Sequence, residues 1–569
     1  MKILPKPQLL EVNSGNLKSK TLAIKNLCED ARIEKALSCF PKGIDGVELT
    51  VKCDNKNTEG YTLDIREDGI EISADSPAGA FYGIQTLKQI FEKDEIPCLH
   101  IEDKPDMSLR GFYHDVTRGK VPTVDTLKKM IDNMAYYKMN HLELYIEHTF
   151  PFKELGDSIE KFGYLTADEI RELDDYCYEN FIDFVPSIPT FGHLYELLEK
   201  EEYKHLQCVT NYTPDRVRWM SRMGHHTIDP KNPESIEIIK SMIDQVLPLF
   251  RTDKFNICCD ETFDLKRGKY EGEDTGALYV EFVKKIIDYL KSKGKKVMMW
   301  GDILLQHPET IDLLPKDTLF LNWWYMEEPK EETFETFHKS GCTQIVCPGT
   351  STWLGFSELI DRGRKNIVNM LDVAYRYGVD GMINTNWGDY GNPCSLELSM
   401  HGFVIGAAKS WNKETKADDE FKESILEICY KNPDAVDLLE KLDEVNRLAK
   451  WNTLVWFWSR ITMGTEIGGA YAIPPTKEEI DKAIEICQSI IEKLSCEKWI
   501  NDEYREEMLV AAEGYMVVAE LLAKATGYKR ERISNTEEWF GKFKNRWMMN
   551  NKKSEIMMIK EMLDFYENM

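Results

Sequence analysis

The spacing of apolar residues divides the chain into three regions with different periodicities. In the first region, three runs between residues 47 and 74 alternate apolar and polar positions, which predicts short strands. From Pro77 onward the apolar positions recur at helical spacing. Residues 1–105 are therefore predicted to form a small α/β domain. The segment 97–107, which holds two prolines and several charges, is predicted to be the linker that follows it.

In the second region, residues 106–412, short apolar runs alternate with amphipathic helical stretches. Eight strand candidates begin near Gly111, Met139, Phe181, Lys254, Lys296, Leu319, Gln344 and Asp380. The clearest helices between them lie at 124–137, 166–180, 233–250 and 275–293. Eight alternating strand–helix units predict a (β/α)8 TIM barrel, in which chemistry takes place at the C-terminal ends of the strands.

The third region, residues 413–569, has a helical pattern with long amphipathic runs. The sequence Trp456-Phe457-Trp458 is interpreted as a packing cluster, with a sugar-binding or dimer surface as the alternative. The predicted fold class is thus α/β: a TIM barrel preceded by a small α/β domain and followed by an α-helical C-terminal region.

Composition narrows the possible partners and the compartment. The formal net charge of −26 argues against nucleic acid and anionic membranes, because both attract basic surfaces. No stretch reaches the roughly 20 apolar residues of a membrane span, and the first residues lack the apolar core of a signal peptide. The 14 cysteines are scattered, without a CxxC pair or a zinc-like cluster. We therefore expect a cytoplasmic protein without a structural metal.

The strongest chemical signal is the adjacent pair Asp260 and Glu261, which ends the apolar run 255–259. Desolvating carboxylates costs free energy, and crowding two of them raises the proton affinity of one. A proton donor beside a fixed anion is what cleavage of a glycosidic bond requires. The alternative is a helix cap or a surface turn, where both residue types are common. The neighbouring Cys258 and Cys259 are interpreted as packing residues rather than a redox or metal site.

The other predicted strand ends carry aromatic and acidic residues, the usual lining of a sugar site. Rings stack on the C–H faces of a pyranose, and carboxylates accept hydrogen bonds from its hydroxyls. These positions are Asp115, Glu147, His148, His193, Trp300, Asp302, Trp323, Tyr325, Trp353, Trp387 and Asp389.

In these features the chain resembles glycoside hydrolase family 20, the β-N-acetylhexosaminidases. Residues 60–90 are similar to the small domain that precedes the barrels of this family, and residues 103–122 to the segment of its first strand. FNICCDET (255–262) is similar to the strand-four signature H-x-G-G-D-E. Phe191-Gly192-His193 and Trp387-Gly388-Asp389 are similar to its P-G-H and W-x-E motifs. The five segments occur in the family's order over about the first 410 residues.

The resemblance implies removal of a terminal β-linked N-acetylhexosamine with retained anomeric configuration. In this family the 2-acetamido oxygen of the substrate is the nucleophile and an oxazolinium ion is the intermediate. Glu261 would be the acid and base, Asp260 would orient the acetamide, and His193 with Glu147 would tune Glu261. Substrate would be bound by Arg110, Trp300, Trp323, Tyr325, Trp353, Trp387 and Asp389. The resemblance implies no metal and no organic cofactor.

The departures from the family pattern leave substrate details open; besides those around the acidic pair, Phe191 replaces a proline, Asp389 replaces a glutamate, and the strand-two histidines are missing. Asn256 replaces the histidine of the signature, and Cys258 and Cys259 replace its two glycines. A shift of one residue would make His148, rather than Glu147, the partner of His193. N-acetylglucosamine, N-acetylgalactosamine, the leaving group and the oligomeric state stay open. Two alternatives remain: a barrel glycosidase with an enzymic nucleophile such as Asp302 or Asp389, and a non-catalytic sugar-binding barrel.

Overall fold

The computed structural model describes residues 1–54, 56–209, 211–224, 226–466 and 473–569. The N-terminal domain is a six-stranded sheet in the order β1-β6-β4-β5-β3-β2. Its strands are β1 (Leu9–Asn16), β2 (Leu22–Asn26), β3 (Val47–Cys53), β4 (Tyr61–Arg66), β5 (Gly69–Ala74) and β6 (Pro97–Asp103). Its helices are α1 (Ala31–Ala36) and α2 (Pro77–Phe91). The side chain of Ser76 caps α2 by accepting from the N–H of Gly79.

The segment 97–107 is only partly a linker, which corrects the sequence prediction. Its first seven residues form β6, which pairs antiparallel with both β1 and β4. Pro97 and Pro105 flank the central part of this strand rather than interrupting it, so the ladder keeps its donors. The connection to the barrel is therefore the short stretch after Asp103.

The second domain is a closed barrel of eight parallel strands, as predicted. In chain order they are β7 (Leu109–Asp115), β8 (His141–Tyr145), β9 (Asp183–Ser187), β10 (Lys254–Asn256), β11 (Lys296–Trp300), β12 (Leu319–Trp323), β13 (Thr343–Cys347) and β14 (Gly381–Asn386). Each predicted strand is present, with its start within a few residues of the predicted one. β10 has only three residues, so the chain leaves the ladder three residues earlier than the apolar run 255–259 suggests.

Helices surround the barrel between its strands. They are α3 (Val124–Tyr136), α4 (Ala167–Glu179), α5 (Tyr195–Leu198), α6 (Arg218–Arg222), α7 (Pro233–Val246), α8 (Thr275–Ser292), α9 (Asp302–Gln306), α10 (Glu331–Ser340), α11 (Ile360–Arg376) and α12 (Met400–Trp411). The longer ones bury one apolar stripe against the strands, as the helical period predicts.

The C-terminal region is helical, as predicted. It contains α13 (Asp419–Ile425), α14 (Ala435–Leu448), α15 (Trp451–Met463), α16 (Lys477–Cys496), α17 (Asp502–Ala525), α18 (Thr536–Asn550) and α19 (Ile556–Glu567). Phe457 and Trp458 on α15 are buried, as expected for a packing cluster, whereas Trp456 keeps partial exposure. Within the described ranges no helix combines the length and apolarity that a bilayer span requires.

One apolar core runs from the barrel into these helices. Phe356, in the loop after β13, is buried and makes edge contacts with Trp451, Tyr515 and Trp539. The helical region therefore packs on the side of the barrel at which the strands end.

Candidate active site

The acidic pair lies in a tight turn directly after β10. Cys258, Cys259 and Glu261 have φ values of 57°, 64° and 50°, in the left-handed region. Non-glycine residues rarely adopt this conformation, and they do so most often at functional sites. Asn256 stabilises the turn because its Oδ1 accepts from the N–H of Cys258 at 2.9 Å. In this strand the asparagine thus has a clear structural role where the family signature has histidine.

Asp260 and Glu261 converge on one imidazole. Nε2 of His193 lies 3.3 Å from Oδ2 of Asp260 and 3.4 Å from Oε2 of Glu261. Although burial disfavours the imidazolium, the neighbouring Asp260 and Glu261 raise the pKa of His193 well above its ordinary value. The two carboxylates therefore face the same cation, and the side chain of Glu261 stays 27% exposed.

Several buried polar atoms beside the pair have no hydrogen-bond partner among the described residues. They are Oδ1 of Asp260, Oδ1 of Asp302 and Nε1 of Trp300. Native proteins pair almost all of their buried polar atoms. These three atoms thus mark a place where a polar ligand would complete the hydrogen bonding.

Of the two predicted partners of His193, Glu147 and His148, it is Glu147 that contacts the imidazole. Its Oε1 lies 3.9 Å from Nδ1 of His193 and accepts from the hydroxyl of Tyr145 at 2.9 Å. Burial opposes the charged form of Glu147. The imidazole of His148, 3.8 Å away, and the charges of Arg118 and His193 outweigh burial and lower its pKa to about 2. His193 is therefore held between anions on both sides.

Arg110 lies at the opposite end of the barrel, and the prediction that it binds the sugar is wrong. It is the second residue of β7 and is fully buried. Its guanidinium pairs with Glu59 of the N-terminal domain at 2.8 Å and donates to the carbonyl of Lys138 at 2.9 Å. The strand runs away from this position toward the acidic pair, so the side chain cannot reach a substrate there.

Arg118, three residues after the end of β7, is the arginine that the structure places in the site. Its guanidinium lies 3.1 Å from Asp389, 3.3 Å from Asp115 and 3.5 Å from Glu147. It also lies over the ring of Trp387, at 5.1 Å. The sequence signal for it was its place after the C-terminal end of a strand, a signal that Arg110 lacks.

The loops that carry Arg118 and Asp389 touch through two glycines. Gly119 and Gly391 have φ values of 100° and 91°. A Cβ on Gly119 would lie 2.6 Å from the backbone of Gly391, and a Cβ on Gly391 would lie 2.6 Å from the ring of Trp219. The absence of side chains at both positions lets the two loops approach closely enough for Arg118 to meet Asp389.

Asp389 titrates at a higher pH than an ordinary aspartate. Burial raises its pKa to about 6, an effect that Arg118 reduces and that the charges of Asp115 and Glu261 increase. At neutral pH the carboxylate is therefore charged and paired, with one side available to accept from hydroxyl groups.

The predicted aromatic residues come together at the same end of the barrel. Trp387 donates from Nε1 to the hydroxyl of Tyr325 at 2.7 Å, and its ring lies 5.8 Å from that of Trp300. Tyr325 stacks on Trp323 at 5.1 Å and meets the edge of Trp353 at 5.1 Å. Trp323 and Tyr325 keep partial exposure, whereas Trp300, Trp353 and Trp387 are buried.

Two tyrosines in this aromatic group were not singled out in the sequence. The ring of Tyr113 lies 5.2 Å from Trp300, and that of Tyr145 lies 5.2 Å from Trp387. Both occupy inward-facing positions of β7 and β8, where an aromatic residue looks like ordinary core in a sequence.

Three of the described residues could in principle hold a metal ion, because their nitrogen and carboxylate oxygen atoms lie within 4.8 Å of one another. They are His193, Asp260 and Glu261. The ion pairs between the imidazole and both carboxylates account for this closeness. The expectation that the protein needs no metal stays a prediction.

A strained acidic pair and an aromatic wall at the C-terminal end of a TIM barrel are the arrangement of a barrel glycosidase. The model of the glycosyl hydrolase family 20 catalytic domain matches residues 108–427, and that of domain 2 of the family matches residues 1–104. The chain belongs to glycosyl hydrolase family 20.

Curated relatives match over part of their length. The chain is 28% identical over 350 residues to a β-hexosaminidase of Akkermansia muciniphila, covering 54% of this chain and 66% of that protein. It is 28% identical over 283 residues to a β-hexosaminidase of Porphyromonas gingivalis, covering 43% of this chain and 36% of that protein. The alignments thus span between about a third and two thirds of these two relatives.

Solved structures share the fold. A chitobiase of Flavobacterium johnsoniae superposes with a TM-score of 0.63 at 19% identity, covering 99% of both chains. An exo-β-N-acetylglucosaminidase of Vibrio harveyi, in complex with N-acetylglucosamine, has a TM-score of 0.60 at 19% identity, covering 75% of this chain and 76% of that chain. The first comparison includes the helical C-terminal region.

Proposed function

We propose that the protein is an exo-acting, retaining β-N-acetylhexosaminidase that uses the acetamido group of its substrate as the nucleophile. The observation that carries the proposal is the pairing of an unsatisfied buried oxygen, Oδ1 of Asp260, with the partly exposed acid Glu261 on the adjacent residue. One carboxylate can accept a hydrogen bond from a ligand inside the site while the other reaches the leaving group outside it.

In the first step, Asp260 accepts from the acetamide N–H and turns the acetamide oxygen toward the anomeric carbon. The negative charge of Asp260 offsets the positive charge that develops on the oxazolinium and the ring. Because nucleophile and electrophile belong to one molecule, the attack has the entropic advantage of an intramolecular reaction. Glu261 gives its proton to the leaving oxygen.

In the second step, Glu261 takes a proton from a water molecule that attacks the anomeric carbon and opens the oxazolinium. His193 contacts Glu261 and Asp260 through the same nitrogen, so it can stabilise the carboxylate that Glu261 becomes between the two steps. Glu147 on the far side of the ring favours this charged imidazole.

The remaining residues of the site have binding roles in this proposal. Arg118 and Asp389 would hold ring hydroxyls, and Trp323 with Tyr325 would form the exposed part of the aromatic wall. The hydroxyl of Tyr325, which accepts from Trp387, can donate to the acetamide oxygen. The proposed substrate is a saccharide or glycoconjugate with a terminal N-acetylhexosamine.

The first test replaces the proposed acid. Glu261→Gln should lower kcat on aryl β-N-acetylglucosaminides about 10²- to 10⁴-fold, the usual contribution of a general acid. Glu281→Gln, on the exposed face of α8, is the matched control and should keep wild-type activity. Near-normal turnover by Glu261→Gln, with an unchanged melting temperature, would refute the assignment.

The second test separates this mechanism from one with an enzymic nucleophile. Asp260→Asn should lower kcat on acetamido sugars about 10²- to 10³-fold, because it removes a preorganised charge. A thiazoline mimic of the oxazolinium should inhibit the wild-type protein. Accumulation of a covalent glycosyl-enzyme with a fluorosugar would instead identify a carboxylate nucleophile.

We also propose that the protein works in a reducing compartment, as the cytoplasmic expectation requires. All 14 cysteines are free thiols, and most are buried. Persistent thiols of this number fit a cytoplasmic protein.

A further inference from the structure

Asp302 connects the strand after the acidic pair to the backbone of Glu261. It is the first residue of α9, two residues after the end of β11. Its Oδ2 accepts from the N–H of Glu261 at 3.1 Å, across the gap between neighbouring strand ends. The bond therefore joins two separate loops of the barrel at the position of the proposed acid.

The conformation of Glu261 makes this bond important. With φ at 50°, Glu261 has a left-handed backbone that a residue with a Cβ adopts only when its surroundings impose it. On its C-terminal side, the carbonyl of Glu261 accepts from the N–H of Phe263 at 2.7 Å. On its N-terminal side, the carboxylate of Asp302 is the acceptor that holds the peptide N–H.

From this geometry we propose that Asp302 is a positioning residue, which holds the backbone of Glu261 in the turned conformation that brings its carboxyl beside His193. The inference rests on the proposed function, because it assigns Asp302 a part in proton delivery by Glu261. In this scheme Asp302 exchanges no proton with the reacting bond and acts through Glu261.

The surroundings of Asp302 determine the form in which it acts. The charged groups that face it are Asp260 and Glu261. Cys259 and Tyr279 of α8 lie beside them. The hydroxyl of Tyr279 donates to the carbonyl of Cys259 at 2.9 Å. Burial, together with Asp260 and Glu261, raises the pKa of Asp302 to about 8. Below that pH the neutral carboxyl still accepts from Glu261 and adds no third negative charge.

An asparagine at 302 reproduces this neutral form. The side-chain carbonyl oxygen of the asparagine can accept from the N–H of Glu261. Its NH2 group can take the place of the O–H of the neutral carboxyl group. Asp302→Ala removes the acceptor altogether. The two variants therefore separate the hydrogen bond from the ionisable group.

The test is the dependence of kcat/KM on the leaving group, because kcat/KM reports cleavage of the glycosidic bond. Dinitrophenolate departs without a proton, whereas p-methoxyphenolate needs one from Glu261. Asp302→Ala should lower kcat/KM at least about 30-fold on p-methoxyphenyl β-N-acetylglucosaminide and less than about 5-fold on the dinitrophenyl glycoside. Asp302→Asn should stay within about 5-fold of wild type on both substrates.

Asp380→Ala is the matched control, since Asp380 accepts from the N–H of Ser108 at 2.8 Å at the other end of the barrel. It should change kcat/KM on neither substrate. Circular dichroism and melting temperature verify folding, and Asp302→Ser replaces Asp302→Ala if the alanine variant does not fold.

Three results would overturn the inference. They are an equal loss on both substrates in Asp302→Ala, no loss in that variant, and a loss in Asp302→Asn as large as in Asp302→Ala. The last result would indicate that the ionised carboxylate itself reacts. A wild-type protein that cleaves neither glycoside would instead refute the proposed function, so the two failures are distinguishable.

Discussion

Asp389 combines two properties that its proposed role in binding sugar hydroxyls requires. It is buried enough for its hydrogen bonds to discriminate, and it is paired with Arg118 at 3.1 Å, which keeps it charged near neutral pH. A pKa of about 6 means that the carboxylate gains its proton as the pH falls through 6. The protonated form is a weaker acceptor for hydroxyls and no longer holds Arg118 by charge.

We therefore predict that KM rises about tenfold between pH 7 and pH 5, as the charged fraction of Asp389 falls about tenfold. Asp389→Asn should have a KM that is higher at pH 7 and nearly constant over the same range. Steady-state kinetics in a buffer series measures this dependence. A wild-type KM that does not change below pH 6 would contradict the binding role of Asp389.

Single residues also define what the sequence could predict about the site. Asp260, Glu261 and His193 lie together as expected, because a change from an apolar strand to charged residues marks the functional end of a parallel strand. Arg110 and Arg118 occur in the same segment, and the prediction that Arg110 is the sugar-binding arginine is wrong. Residue type does not separate them, whereas the direction of β7 does, since only Arg118 follows the C-terminal end.

At the scale of elements, the loops on the functional side of the barrel are held from outside by the C-terminal helices. Arg222 of α6 makes two hydrogen bonds to Glu555, at 2.9 and 2.6 Å, and Trp219 donates to the same carboxylate at 2.8 Å. Glu555 immediately precedes α19, and both partners of the ion pair are almost fully buried. The pair ties the segment between β9 and β10 to the last helix.

Glu555→Ala should lower the free energy of unfolding by about 3–5 kcal/mol, because it leaves Arg222 charged and only partly paired in the interior. Thermal and denaturant unfolding measure the loss. Glu538→Ala, which removes an exposed partner of Lys542, should change stability by less than about 1 kcal/mol. Equal effects of the two substitutions would show that burial does not strengthen the Glu555 contacts.

The elements that the sequence did not predict have weak patterns for physical reasons. β1 is an edge strand with nearly all of its residues exposed, so no apolar alternation marks it. The prolines that flank β6 favour a linker in the sequence, although its central residues alternate between buried and more exposed positions. The barrel strands are predictable because each is a short buried run and most are followed by a long amphipathic helix.

At the scale of the whole molecule, the barrel and the C-terminal helices share one core. The matched catalytic domain ends at residue 427, which would suggest an independent unit. Phe356 of the barrel is nevertheless covered by Trp451, Trp539 and Phe543, all beyond that point. A barrel without these helices would expose a large apolar surface.

We predict that residues 1–412 expressed alone are insoluble or lack a cooperative thermal transition, because this surface is exposed. The full chain, expressed in parallel, is the control. Solubility, size-exclusion chromatography and calorimetry measure the outcome. A monomeric 1–412 fragment that melts near the temperature of the full chain would contradict the shared core.

The contact between Gly119 and Gly391 limits how this site can vary. Even one methyl group at either position would force apart the backbone segments beside Arg118 and Asp389, or displace the indole of Trp219. Under the proposed function, a change in the accepted sugars would therefore have to come from exchanging the rings and polar side chains around the site, while Gly119 and Gly391 stay unchanged.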